Sequence, residues 1–440
     1  MRVLMLGWEF PPLISGGLGT ACYGLTKAMS EMGVDIEFVL PAPVPSEPAG
    51  HVRLVWAGGG LGEGRSARGG GHVRFHAVAS SLRPYQSPDP RHAAGGKERT
   101  GTGAFRRAGG GGGGAAHRRG RDKPVEGFAG PGGHYRGDLF GEVHRYAHEV
   151  AELACEEEFE IIHAHDWMTY PAGIMAADLT GKPLVVHVHS TEFDRSGPNV
   201  NQIIYDIERH GMHAANRIIA VSHLTKRLCV THYGVAESKV EVVHNGCSPC
   251  AAGPIEGIRK DEKVVLFLGR VTMQKGPEYF LAAAKKVLEK LDDVKFVMAG
   301  NGDMMRRTIE MAAAMGVGHR VLFTGFLSGD QVERVYRMAD LYVMPSVSEP
   351  FGIAPLEAMA RQVPVIISKQ SGVAEVLRHV LKVDFWDIHE MANKIIAVLT
   401  RPVLHEALRR NGLAEVGRFR WSEAAARCVG IYRALGGSAA

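Results

Sequence analysis

The chain has 440 residues, more than one ordinary core needs; about 150 residues per domain gives two or three domains. With 45% apolar and 22% charged residues it has the balance of a soluble globular protein, which excludes global disorder and collagen-like structure. No apolar run approaches the ~18 residues of a membrane span. The net charge of +4 is local: nine Lys/Arg against two Asp/Glu in residues 91–123 give +7, leaving −3 elsewhere, so nucleic-acid binding is not indicated.

In chain order, residues 2–6 read as a first buried strand. Trp8-Glu9 and Pro11 cut its apolar stretch too short for a signal peptide. Leu18, Ala21, Leu25, Met29 and Met32 recur at helical spacing over 18–32, Gly33 stops that helix, and 34–40 is a second strand. Residues 50–137 hold 25 of the 55 glycines, six of them consecutive from Gly109, and the core of this segment (about 90–135) reads as a disordered Gly/Arg-rich insert. Val143, Tyr146, Val150 and Leu153 mark an amphipathic helix, and strands follow at 159–164, 184–188 and 217–221.

Apolar periodicity lapses between 246 and 262, which reads as a linker. A second series of strands then begins, at 264–268, 294–298, 320–324, 340–344 and 363–367, with helices between them. Short apolar strands alternating with helices predict parallel sheets covered on both faces. The fold class is therefore α/β, with two doubly wound Rossmann-like domains facing an interdomain cleft. The boundaries are 1–248, a linker 249–262, a second domain 263–420, and a last helix 421–440. Ligands of such domains sit at the carboxyl ends of the strands.

Several motifs fall at those ends. Gly16-Gly17-Leu18-Gly19 opens the first helix, where exposed amides suit an anion, but neither the dinucleotide fingerprint nor a phosphate loop is present. His163-Ala-His165-Asp166-Trp167 and His187-Val-His189 end two strands, so four imidazoles converge; without a carboxylate or cysteine cluster the expectation is no metal and hydrogen bonding to a polar substrate instead. The six scattered cysteines, including the lone Cys247-Ser-Pro-Cys250, suit a reducing cytoplasm. Arg270 and Lys275 place two cations in one loop, as a diphosphate leaving group requires. In Ser348-Glu349-Pro350-Phe351-Gly352-Ile353, a loop acid precedes a helix N-terminus, and Glu357 lies a turn inside that helix.

These motifs resemble the retaining glycosyltransferases of the two-Rossmann-domain (GT-B) type, in the group that includes glycogen and starch synthases and the broad family 4 transferases. The resemblance covers the chain except about 45–135. Its most specific element is the E-x7-E pair Glu349/Glu357, supported by Arg270, Lys275, the Gly-Gly loop and the His-Asp-Trp run. It implies that Arg270 and Lys275 hold the donor diphosphate and that Glu357 binds the ribose. It also implies that Glu349 and the amides of Phe351, Gly352 and Ile353 lie at the transferred sugar, with His165 near the reacting carbon. Gly16 and Gly17 would approach the phosphates from the first domain, and Glu9, Asp166 and Trp167 would face the acceptor. Trp421 and Tyr432 resemble the segment that crosses back to the first domain.

The activity so implied is metal-independent transfer of a hexose, most simply glucose, from a nucleotide-diphosphate donor to a glucan, with no cofactor and in the cytoplasm. A lipid or small-molecule acceptor and an epimerase or hydrolase on the same fold are the alternatives, and the 91–123 arm is the one element suited to a membrane surface. The departures from the family are Ile14 and Thr20, where glucan synthases carry lysine and aspartate, Gln362 where glycine is usual, and Ser371-Gly372 in place of Gly-Gly.

Overall fold

The computed structural model describes residues 1–11, 16–41, 52–56, 73–77, 83–84, 135–136, 138–248 and 262–436. The Gly/Arg-rich stretch at about 90–134, nearly all of the linker, Cys250 and Ile14 lie outside the described residues.

The strands in chain order are β1 (Arg2–Leu6), β2 (Asp35–Leu40), β3 (Val52–Trp56), β4 (Val73–Ala77), β5 (Arg83–Pro84), β6 (Tyr135–Arg136), β7 (Ile161–His165), β8 (Leu184–Val188), β9 (Arg217–Ala220) and β10 (Val240–Val242) in the first half. The second half has β11 (Lys263–Leu268), β12 (Val294–Ala299), β13 (Val321–Gly325), β14 (Leu341–Met344), β15 (Val365–Ser368) and β16 (Leu381–Val383). Strands β5 and β6 form a small antiparallel pair. The others make two parallel sheets, ordered β10-β9-β8-β7-β1-β2-β4-β3 and β13-β12-β11-β14-β15-β16. Strand order reverses beside β1 in the first sheet and beside β11 in the second. Each reversal opens a crevice at the carboxyl edge.

The runs are nearly unbroken apolar because both faces are covered. Val3 to Leu6 are all fully buried, and so are Val265 and Leu266 in β11. Helix Gly17–Glu31 covers one face of the first sheet through Ala21, Leu25 and Met29, in one cluster with Val3, Met5 and Phe38. Helix Leu139–Glu156 covers the other through Val143, Tyr146 and Val150. The final helix, Trp421–Gly436, follows the second domain but packs on the first: Trp421, Ala425, Cys428 and Tyr432 join the Leu25–Met29 cluster. The Tyr432 hydroxyl lies 2.6 Å from His163 Nδ1, a contact spanning 269 residues of sequence.

Gln362 departs from easy backbone geometry. It ends the helix Ile353–Ala360 region with φ 62°, a left-handed conformation that disfavours any residue with a Cβ. Gln362 Oε1 offsets part of that strain by accepting from Arg409. Exchange of Gln362 for glycine is expected to raise stability by up to about 1 kcal/mol, read as an upward shift in Tm. An unchanged or lower Tm would show that the Arg409 contact outweighs the strain.

Candidate active site

The first domain contributes the ends of β1, β7 and β8. Four histidines stand on one side of β7 and β8. The register pairs His165 with His187, so His189 projects one step further toward the carboxyl edge. His163, His165 and His187 are buried, whereas His189 is half-buried. His165 Nδ1 and His189 Nε2 share a 2.9 Å hydrogen bond. Burial keeps all four rings neutral: it pushes His163 down to about 3, with the neighbouring His189 adding to the effect, and His189 itself to about 3, and it holds His165 and His187 well below the ordinary imidazole range.

The His165 ring has no exposed surface, and it shares its hydrogen bond with His189, the one of the four that is partly exposed. The period-two spacing marked both strand ends, but only the β7–β8 register tells which imidazole comes out on top, and pairing register is not written in either strand alone.

Asp166 follows immediately, with φ 60° and ψ 168°, a strained backbone for a residue with a side chain. Its Oδ1 accepts from the amides of His189 at 2.7 Å and Ser190 at 3.2 Å, tying the loop after β8 to the end of β7. Burial raises its carboxyl to about 7 against the pull of Arg195 and these amides. Asp166 thus positions the His189 loop. Trp167 is 5% exposed and packs on Phe140 inside the first core. Glu9 is buried beside Gly16, where a Cβ would come within 2.7 Å of the Glu9 carboxylate, while nothing lies within 4 Å of the same position on Gly17. Gly16, which begins helix Gly17–Glu31, has no side chain with which to cap it.

The second domain contributes the ends of β11 and β14. After β11 the chain passes Arg270 and a turn ending at Lys275, then enters helix Pro277–Leu288 through Gly276. Gly276 has φ 63°, and a Cβ there would sit 2.3 Å from the Pro345 carbonyl, so only glycine brings the two loops this close. That approach lets Lys275 Nζ reach Glu349 Oε2 at 2.5 Å, and Ser346 Oγ donates to the same oxygen at 3.2 Å. Glu349 is 7% exposed. Arg270 is half-buried, and its guanidinium has no partner among the described residues.

Beyond Glu349, Phe351 and Gly352 lead into helix Ile353–Ala360. Gly352, with φ 104°, caps it without a side-chain bond, leaving amides at a helix N-terminus beside Glu349 and Lys275. Ile353 packs against both the second-domain core and the cluster containing Leu18 of the first, so the two uncapped helix starts face a common space. Glu357 Oε2 accepts from Tyr336 at 2.9 Å; burial raises this carboxyl, with Tyr336 and Arg361 opposing.

Among the described residues, one group of metal-ligand type comes together: His163, His165 and His187 each place a nitrogen within 4.8 Å of the others. The His163 and His187 rings are stacked, with centroids 5.3 Å apart and an interplanar angle of 7°.

Two doubly wound domains meeting at their carboxyl edges, with a basic loop, two spaced acids and paired helix starts, define the GT-B architecture. Three family models match the chain: Glycosyltransferase group 1 over residues 253–414, Glycosyltransferase Family 4 over 109–249 and the starch synthase catalytic domain over 2–61. An uncharacterized glycosyltransferase of Methanocaldococcus jannaschii is 33% identical over 297 residues, covering 63% of this chain and 76% of the relative. A D-inositol 3-phosphate glycosyltransferase of Segniliparus rotundus is 30% identical over 304 residues, covering 62% of this chain and 66% of the relative. In fold the chain is similar to a sucrose-phosphate synthase from Thermosynechococcus elongatus (TM-score 0.72, 18% identity, 99% of both chains). It is also similar to an Anabaena protein, HepE, solved with UDP-glucose (TM-score 0.69, 16% identity, 99% of this chain and 100% of that one). The chain belongs to the glycosyltransferases. Among the described residues no helix is long and apolar enough to cross a membrane.

Proposed function

We propose that the protein transfers a hexose, most simply glucose, from a nucleotide-diphosphate sugar to a carbohydrate acceptor with retention at the anomeric carbon. The observation that carries this reading is the meeting of Lys275, Glu349 and the uncapped start of helix Ile353–Ala360 at the switch point of the second sheet. The bond from the anomeric carbon to the β-phosphate breaks, the acceptor oxygen bonds on the same face, and the acceptor proton passes to a departing phosphate oxygen. Arg270, Lys275 and the amides of Phe351, Gly352 and Ile353 stabilise the charge that develops on the diphosphate, without calling on a metal ion. Glu357, held by Tyr336, accepts from the ribose hydroxyls. Glu349 and His189 lie at the sugar, and the Gly16–Gly17 helix start faces the phosphates from the other side.

The starch synthase match over 2–61 supports a glucan acceptor. The relatives that act as D-inositol 3-phosphate glycosyltransferases support a second reading, a small polar acceptor. Nucleotide release from ADP-, UDP- and GDP-glucose, each with a maltooligosaccharide, with an inositol phosphate and with neither, distinguishes them. Release requiring the maltooligosaccharide, with chain extension, is expected. Release requiring the inositol phosphate selects the second reading. Release needing no acceptor would overturn both in favour of hydrolysis or epimerisation.

A further inference from the structure

The loop that carries Glu349 belongs to the second domain, yet the residues on either side of it are held by the first. Ser348 Oγ donates to Asp194 Oδ1 at 2.6 Å, and Thr225 Oγ1 donates to the carbonyl of Pro350 at 3.3 Å. Both first-domain partners are buried and are fixed in their own right. Asp194 Oδ2 accepts from the amide and hydroxyl of Thr191 at 2.8 Å each, in the capping box of helix Glu192–Ser196. Thr225 is oriented by Ser222, which caps helix His223–Tyr233 by accepting from the Thr225 amide at 3.0 Å. A third tie closes the same seam: Glu375 of the second domain accepts from the amides of His223 at 2.9 Å and Leu224 at 2.6 Å.

We propose that Asp194 and Thr225 are positioning residues for Glu349, seating the loop that carries it only when the two domains are together. The inference rests on the role given to Glu349 above. Within its own domain the Glu349 amide donates to the Gln370 carbonyl at 3.0 Å, which fixes one edge of the loop. The outer edge has the two interdomain bonds. Separation of the domains breaks both at once and leaves Ser348 and Pro350 without those partners. Of the diphosphate partners, Arg270, Lys275 and the amides of helix Ile353–Ala360 lie in the second domain and stay assembled, and only the Gly16–Gly17 helix start leaves with the first. Nucleotide affinity and turnover should therefore respond differently to loss of the pins.

The test uses the full chain carrying Ser348→Ala with Thr225→Val, which leaves Asp194 and its capping box intact. Three quantities are measured: kcat for transfer, the Kd of UDP, ADP and GDP by calorimetry, and the radius of gyration in solution. The expected result is a fall in kcat of about 30-fold or more, the scale of losing a hydrogen bond to a charged group together with a neutral one. The nucleotide Kd should rise far less than kcat falls, the radius of gyration should be larger, and Ser348→Thr, which keeps the hydroxyl, should restore turnover on the Thr225 background. An unchanged kcat, or a loss matched by an equal rise in Kd, overturns the proposal. If the wild-type chain binds none of the three nucleotides, the reading of the donor site fails by itself. Scattering then still decides the pins: a larger radius in the double variant supports them, and an equal one overturns them.

Discussion

Replacement of Glu349 by alanine is expected to lower turnover by about 10²- to 10³-fold, the usual cost of removing one preorganised group from a transfer site. Glu349 and Lys275 form one unit: the acid is nearly buried, the lysine is its ion-pair partner, and Ser346 donates to the same carboxylate oxygen. Removing the acid leaves a partly desolvated ammonium beside a helix start that is also electropositive. Lys275→Ala should cost a similar factor, and the double variant much less than the product of the two, because each single change already breaks the pair. Glu349→Gln, nearly isosteric, serves as the folding control. Near wild-type turnover in Glu349→Ala or Lys275→Ala would refute the assigned roles.

The second large effect concerns acid. Below about pH 6.5 the imidazoles of the unfolded chain bind protons, whereas in the native protein burial keeps His163 and the half-buried His189 neutral down to about pH 3 and holds His165 and His187 well below the ordinary range. The unfolded state therefore takes up more protons, and stability, full above about pH 6.5, falls as the pH drops. Each group contributes up to about 1.4 kcal/mol per pH unit. Asp166 acts oppositely, because with its carboxyl raised to about 7 the native state is the one holding the proton between about pH 4 and 7. Burial also raises the carboxyls of Asp194, Glu208 and Glu357, which act in the same sense as Asp166, so the expected net loss of stability between pH 6.5 and 5 is smaller than the four imidazoles alone would give. Denaturant melts across that window measure the slope. His187→Leu should make it shallower: neither His187 nitrogen has a partner, so an apolar ring-sized replacement removes a proton site and breaks no hydrogen bond. A flat profile in the wild-type chain would show that the imidazoles are solvated in the native state.

The architecture was legible because buried parallel strands write themselves as short apolar runs. Residues 184–188 form β8 as read, and the runs at 264–268 and 294–298 are β11 and β12, each extended by one residue. Strands β3 and β4 escaped because they lie in the glycine-rich half of the segment, where composition masked alternation, and β10 and β16, three residues each, are too short to show a period. At the candidate site, Lys275 stands in a loop that ends one strand and Glu349 and Gly352 in a loop that ends another, and the structure pairs the lysine with the acid. What was not readable depends on pairing between segments far apart in sequence. The Asp194–Ser348 bond joins residues 154 apart, and the prominence of His189 over His165 follows from strand register. Gln362 is intermediate: its identity was noted as a departure from glycine, and its positive φ gives the physical reason that glycine is usual there.

The docking of Trp421–Gly436 on the first sheet has a consequence for synthesis. A chain made from its N-terminus finishes the second domain's strands before the residues that complete the first domain's core have left the ribosome. Until they emerge, the face formed by Leu25, Met29 and Phe38 lacks the cover supplied by Trp421, Cys428 and Tyr432. Maturation is therefore staggered: the later domain can consolidate first, and the earlier one waits, exposed to chaperones and proteases, for the last helix to return.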